Sequence, residues 1–539
     1  MPFTYLLNDR FIKFYEKEPI PLFESDFEEI NTTRYLTDNP YGDFESGSIF
    51  NITDYGAIDA YYDKDEINED IIQKNTEAIN AAIKNASLND GVALIPAGNY
   101  VSGTIELKSN VTLRIEGNLI GSRSRADYSP KHFIIGENIR NVTVEGNGGK
   151  IMGEGEYFWN NPILKPLKSN LRVSDVRMLQ LNHFLAKREK KENRPSPFIL
   201  FKESQNIRIR NLLVNNSPGW TLTFELSNTI SVKDTVLHNN IRGGNVDGID
   251  IVATSNVNIN NVLISTADDG IALKNPKLDS SVPMANITVR NARIRSTCNS
   301  FKIGTETYSD ITNITFVDSE IITTEFYPGG ISGIAIESVD GSEVRDIKVN
   351  NISMDGVLAP LFIRVGNRNK YDDKDLMSQI DNVNVSNLFS YDCQLPSIIS
   401  GAQLWKWNSW DYSVLKATNI SLNNFTVEYL DSAERLLFPS TVLEAPDAGP
   451  EVWMFGDVPA YGIYIRHADV VYENINITPR SCNNREKIVI DTSGERIFIN
   501  ALNITTLLIG VIGIFVTLIV LRKKVKELNS FNRVNINID

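Results

Sequence analysis

The chain has 539 residues, with 53 Lys+Arg against 67 Asp+Glu, a net charge of −14 and a pI near 5.0. Its 42% hydrophobic and 22% charged content is globular and excludes a disordered or collagen-like chain, while the acidic balance argues against a nucleic-acid partner. Three separated cysteines (Cys298, Cys393, Cys482) and four histidines (His132, His183, His238, His467) show neither CxxC nor HExxH spacing, so no disulfide scaffold, metal or cofactor is expected and carboxylates are left for chemistry.

Residues 1–46 are acidic and interrupted by proline, an arm ahead of the main domain; Asn8, Asp9, Arg10 and Lys13 break any apolar run of a signal peptide. From residue 50 the pattern is a strand (FNITDYGA), then a helix with apolar spacing (NTEAINAAIKNA, 75–86), then short strands to residue 122. Such a helix would cap the open end of a repetitive core. The charged stretch 185–194 (LAKREKKENR) reads as a solvated loop or helix.

A repeat dominates the rest. Asn or Asp followed by alternating β-branched residues recurs at 110 (NVTLRI), 141 (NVTVEG), 206 (NIRIRN), 256 (NVNINN), 286 (NITVRN) and 313 (NITFVD). Further copies start at 346 (DIKVNN), 382 (NVNVSN), 419 (NISLNN) and 474 (NINITP). Steps of 30 and 27 residues between 256, 286 and 313 are too long for hairpins and too strand-rich for helical repeats. They predict an all-β, right-handed parallel β-helix over residues 47–500, with stacked asparagines forming amide ladders at the turns. The stretch 504–521 (ITTLLIGVIGIFVTLIVL) is almost wholly apolar and is followed by RKKVK. It predicts a membrane helix over 501–522, a cytoplasmic tail over 523–539 and an extracellular main domain. Trp405, Trp407, Trp410 and Trp453 could stack sugar rings or simply pack.

A second strand set aligns through inward apolar pairs: DGIDI at 247, DGIALK at 269, NSFKIG at 299, SGIAIE at 332 and PLFIRVG at 360. In this alignment the outward column reads Asp250, Ala272, Lys302, Ala335, Arg364, and Asp247 stacks on Asp269, Asn299 and Ser332. Rungs lie about 4.8 Å apart, so Asp247 and Asp269 can share one water, with Asp268 as a third acid at the same corner. Crowded carboxylates push at least one pKa up, which separates an acid from a base, as inverting glycoside hydrolysis requires. Lys302 and Arg364 are expected to face outward toward an anionic sugar carboxylate. A solvated corner, or a calcium site, is the alternative reading of an acidic cluster.

These residues resemble the polygalacturonase family, glycoside hydrolase family 28. Residues 245–248 (NVDG) look like its NTDG motif, 267–270 (ADDG) like its (G/Q)DD motif, and 216–222 (NSPGWTL) like its NSPxW segment. The resemblance implies Asp268 as general acid, Asp247 and Asp269 as activators of water, and a uronic-acid-containing polysaccharide as substrate. It extends to the fold, a pectin lyase-like solenoid, and the expected enzyme is a monomer. Asn245, Asn299, Lys302, Arg364 and His467 are the expected substrate-binding residues, the last with Arg466 in YGIYIRH. Two departures stand out: Asn299 occupies the place of the family's GHG histidine, and Ala335-Ile336-Glu337 that of its basic RIK motif, whose cations bind galacturonate at the cleavage point. A β-helix glycan-binding surface protein without catalysis, or a polysaccharide lyase using Lys302 or Arg364 as base, are the competing functions.

Overall fold

The computed structural model describes residues 35–36, 47–63, 66–159, 194–241, 243–278, 283–322, 330–371, 377–406, 411–429, 442, 444, 451–452, 458–479 and 485–492. Within them the chain winds into a parallel β-helix. Seventeen strands form one continuous, bent sheet and twelve form another, and nearly every pairing joins one coil to the next in parallel. The strands of the larger sheet alternate as predicted: Val111–Ile115 buries Val111, Leu113 and Ile115 and turns Thr112 and Arg114 outward. Successive coils stack like on like, with Ile287 on Val257, Ile314 on Ile287 and Ile347 on Ile314. A continuous apolar column therefore fills the solenoid from end to end.

The asparagine repeat supplies the corners. Asn256, Asn286 and Asn313 adopt left-handed backbone (φ 58°, 62° and 55°), a conformation asparagine tolerates better than most residues. Their side chains form a ladder, Asn313 to Asn286 at 2.7 Å and Asn286 to Asn256 at 2.9 Å. A second ladder marks the bend within the long strands, where Asn261 donates to Asp234 at 2.7 Å and Asn424 to Asn387 at 2.7 Å. The amide ladder read from the repeat is thus present twice.

The capping helix runs Glu69–Ser87, with the Asn68 side chain accepting from the Asp70 N–H at its start. Its buried face carries Ile72, Ala78, Ile79, Ala82, Ile83 and Ala86 over the first coil. Buried Asn75 ties helix to coil by accepting from the Ile58 N–H (2.6 Å) and donating to Ile58 and Val101 carbonyls (3.0 and 3.1 Å). Of the expected arm, Tyr35 is buried against Val236 and Leu263 on the flank of the larger sheet.

The smaller sheet departs from simple alternation. Its strands Ser332–Ser338, Ala359–Val365 and Ala460–Arg466 are buried at every position. The outer face is covered by a second apolar layer in which Val442, Val452 and Val458 pack with Ala335, Phe362, Ile398 and Tyr464. Among the described residues no helix is long and apolar enough to cross a membrane. The expected span at 501–522, the tail at 523–539, the charged residues 185–193 and Trp407, Trp410 and Trp453 lie outside the described residues.

Candidate active site

The corner that feeds the smaller sheet builds the site. Residues 245–248 lead into the strand Ile249–Val252 and residues 267–270 into Ile271–Asn275, one coil further on. The coils are locked by Gly248 N–H on the Asp269 carbonyl (2.9 Å), Gly270 N–H on the Asn299 carbonyl (2.8 Å) and Asp268 N–H on the Val246 carbonyl (2.8 Å). Glycine is needed here for close approach: a Cβ on Gly248 would sit 2.3 Å from the Gly270 carbonyl oxygen. Asn245 turns the chain with φ 55° and its amide reaches Asp247 Oδ1 at 3.4 Å. Asp247, Asp269 and Asn299 then stand in one column, as the register predicted. Asp268, half-buried beside them, accepts from the Asp269 N–H through Oδ1 (3.1 Å). Carboxylate oxygens of Asp268 and Asp269 lie within 4.8 Å of each other and of Cys298 Sγ.

Two buried lysines organise the acids. Lys274 bridges Asp250 (2.5 Å) and Asp247 (3.1 Å) and lies 3.7 Å from the centre of the Trp220 ring. Burial raises Asp247 well above the ordinary carboxylate range against the pull of Lys274, and the neighbouring charges of Asp250, Asp268 and Asp269 push the same way. Burial likewise pushes Asp250 to about 6, again against Lys274. Lys274 itself is pulled down by burial but raised on balance by Asp250, Asp247 and Asp269.

The second lysine is Lys302, one coil beyond. It faces Glu451 at 3.4 Å, Asp269 at 3.5 Å and Glu337 at 3.9 Å. Asp269 Oδ1 also accepts from the Asn299 backbone N–H (3.2 Å) and amide (2.9 Å), and that amide reaches Glu451 Oε2 at 3.2 Å. Burial raises Glu337 well above its usual range, Lys302 opposing, and raises Glu451 likewise. Asp268, Asp269 and Cys298 are close enough to share an ion. A thiol is a poor partner for a hard cation, however, and both Asp269 oxygens are already engaged, by Asn299 and Lys302.

The structure brings Asp247, Asp268, Asp269, Asn245, Asn299 and Lys302 together. Lys302 is not the exposed cation expected, since its side chain is 3% exposed and surrounded by carboxylates. Arg364 is a fuller correction. Phe362, not Arg364, stacks on Ala335, so the aligned column slips by two residues, and Arg364 pairs with Glu337 along the register. Arg364 is fully buried and donates to the Gly401 carbonyl at 2.8 Å. It sits three strands from Asp269, about 14 Å along the stack at 4.8 Å per strand, and five residues beyond Ala359, the residue level with Asp269. His467 and Arg466 lie five strands away and both engage Glu444, at 2.9 and 3.5 Å. The physical reason is the covering layer: outward positions of this sheet face protein, where a cation must find a carboxylate or a carbonyl.

Sequence reasoning missed Lys274, Asp250, Glu337, Glu451 and Arg194 as parts of the site. Arg194, last residue of the stretch read as solvated, is buried and grips the corner by donating to the carbonyls of Pro218, Gly244 and Asn245. Burial pulls it down to about 10 while Asp247 and Asp268 raise it. Lys274 and Asp250 were legible as charges inside strands of a buried sheet. Glu451 arrives 149 residues after Lys302, beyond any local pattern.

The profile of the glycosyl hydrolases family 28 matches residues 89–434, and the chain belongs to that family. It is 24% identical over 259 residues to polygalacturonase-2 of Solanum lycopersicum, covering 48% of this chain and 50% of that protein. An endo-polygalacturonase of Pectobacterium carotovorum subsp. carotovorum is 26% identical over 315 residues, covering 53% of this chain and 71% of the relative. The chain thus spans about half the length of the tomato relative. A hyperthermoactive exopolygalacturonase from Thermotoga maritima superposes with a TM-score of 0.55 at 17% identity, over 80% of this chain and 92% of the other, so the two share the right-handed β-helix fold.

Proposed function

We propose that the protein is an inverting glycoside hydrolase that cleaves O-glycosidic bonds in a pectin-like polysaccharide. One observation carries the reading: three carboxyl groups from two successive coils converge at one corner, the most accessible of them being Asp268. Asp268 is the general acid, giving its proton to the leaving glycosidic oxygen. Water attacks the anomeric carbon from the opposite face, and Asp247 with Asp269 orients it and takes its proton, so that configuration inverts. Burial suits Asp247 to the base role, because a raised pKa makes its carboxylate a stronger proton acceptor. Lys274 holds Asp247 in place, Asn299 and Lys302 hold Asp269, and Arg194 fixes the Asn245 corner through its carbonyl. Family membership and the polygalacturonase relatives support hydrolysis of pectin. The apolar stretch at 504–521 supports attachment of this activity to a membrane, with the solenoid extracellular.

The test is reducing-end release from pectic polymers by the full chain beside Asp268→Asn, with the product anomer followed by NMR. Release that falls by ~10²–10⁴ in the variant, with inverted product, is expected from loss of a general acid. Unchanged release in the variant, or retained configuration, would sink the assignment.

A further inference from the structure

The apolar column inside the solenoid is closed at one end and open at the other. At the first coil the helix Glu69–Ser87 lies over it, and Ile79, Ala82 and Ile83 are fully buried. At the last described coil the strands Ala468–Pro479 and Glu486–Asp491 each pair with one neighbour among the described residues, Ala417–Tyr429 and Ala460–Arg466. Core-facing positions there are bare. Val470, Tyr472 and Ile475 stack on Ile420, Leu422 and Phe425, all buried, yet Tyr472 is 42% exposed and Val470 and Ile475 are only half-buried. On the outer face of the same strand Val471 is 74% exposed. A solenoid needs a cap at each end, and an open strand edge invites pairing.

The chain that follows carries a matching rung. Core-facing residues keep a spacing of two, three and two, as Ile420, Leu422, Phe425 and Val427 in one coil and Val470, Tyr472, Ile475 and Ile477 in the next. Ile497, Ile499, Leu502 and Ile504 repeat that spacing, and the step from Val470 to Ile497 equals the step from Ile287 to Ile314. In this register the outer positions agree as well. Phe498 falls level with exposed Val471, Arg496 with exposed Asp469, Asn503 with Asn476 and Thr505 with Thr478. An apolar ring thus meets the bare valine, and a cation meets the aspartate. A second copy docked on this end would instead meet its own surplus of acid, since the exposed charges of the two strands are Asp469, Glu473 and Glu486 against Lys487.

We infer that the open end of the solenoid is the docking site of the chain's own residues 496–505, which add one further coil in parallel to Ala468–Pro479. The coil takes Ile504 and Thr505 from the front of the apolar stretch, so the remainder of that stretch leaves the end face with no linker between.

Paired cysteines in the full chain test the register. Level positions on adjacent rungs lie about 4.8 Å apart between Cα atoms, within the span of a disulfide, and a two-residue slip takes them to about 8 Å, beyond it. Val471→Cys with Phe498→Cys is compared with Val471→Cys with Asn500→Cys, and with Val471→Cys alone. Closure is followed under mild oxidation, with the bond mapped by peptide mass spectrometry and each fold checked by thermal melting. The level pair should close within one chain at least about tenfold faster than the slipped pair. Equal rates in the two pairs, or no bond in either folded protein, would overturn the inference. A covalent dimer of the single variant forming faster than the level pair closes would give the end to a second copy and overturn it too.

Discussion

The two lysine-centred clusters differ in a way that sequence spacing hides. Around Lys274 the fit is tight, with two carboxylates at 2.5 and 3.1 Å and an indole face at 3.7 Å. Around Lys302 three carboxylates stand back at 3.4, 3.5 and 3.9 Å, and Glu337 has no hydrogen bond to either oxygen. The first cluster has the geometry of a structural clamp that positions Asp247. The second is acid-rich, buried and more loosely held. A buried ion pair costs most when one partner is removed and the other is stranded. The clamp should therefore be the more sensitive of the two.

Replacing each lysine by methionine puts that contrast to its strongest test. Lys274→Met strands Asp247 and Asp250 in a fully buried position and should cost about 3–5 kcal/mol in chemical denaturation. Lys302→Met should cost less, about 1–3 kcal/mol, because its three carboxylates stand 3.4 to 3.9 Å away and lose weaker contacts than the two at 2.5 and 3.1 Å around Lys274. Equal losses in the two variants would mean that the looser distances around Lys302 do not reflect weaker coupling.

Titration separates the clamp from an ordinary ion pair elsewhere. Asp250 is raised from 3.8 to about 6, so the stability it contributes is fully present below pH 3.8 and is lost as pH rises through about 6. Glu306 behaves in the opposite sense. Burial would raise it, but the hydrogen bond from Lys370 and the charges of Lys274, Lys370 and Arg368 bring it down to about 2. Its contribution is present above pH 4.5 and is lost as pH falls through about 2. Melting temperature followed from pH 2 to 7 should therefore lose part of its decline between 4 and 6 in Asp250→Asn. In Glu306→Gln it should lose part of its rise between 2 and 4.5. Identical profiles in the two variants would show that neither carboxyl carries the shift assigned to it.

How far the sequence reached depends on the distance over which each feature is written. Corners and rungs are local. The Asn-initiated repeats, the inward pairs Ile249/Ile251 and Ile271/Leu273, and the stacking of Asp247 on Asp269 all follow from alternation within one coil and similarity between neighbours. Outward positions were read as facing solvent because alternation alone carries no information about a second layer. The true column carries the mark of that layer, since Ala335, Phe362, Ile398 and Tyr464 are small or apolar at outward positions, as a covered face requires. Reading Arg364 into that column also assumed a constant step from strand to strand, and the true pairing is shifted by two residues, which preserves the inward face and hides the error. Glu451 and Arg194 come from connections whose path no periodicity describes, so they entered the site only through the fold.

The smallest expected effect concerns the ladders that keep the coils in register beneath both clusters. Asn286 is exposed, holds φ 62°, donates to Asn256 and accepts from Asn313. Alanine at this position loses both amide bonds and must still adopt left-handed backbone, a strain of about 1–2 kcal/mol for a residue with a Cβ. Glycine loses the same bonds without that strain. Asn286→Ala should therefore be destabilised by about 1 kcal/mol more than Asn286→Gly, measured by denaturant midpoint at constant slope. A pair of variants with equal midpoints would locate the value of the asparagine in its ladder bonds. Glycine above alanine by the stated margin would locate it in the turn. Because the same corner recurs at Asn256 and Asn313 with nearly the same φ, the outcome at one coil carries to its neighbours on physical grounds. It would then decide whether the solenoid beneath the acids is held chiefly by side-chain stacking or by backbone preference.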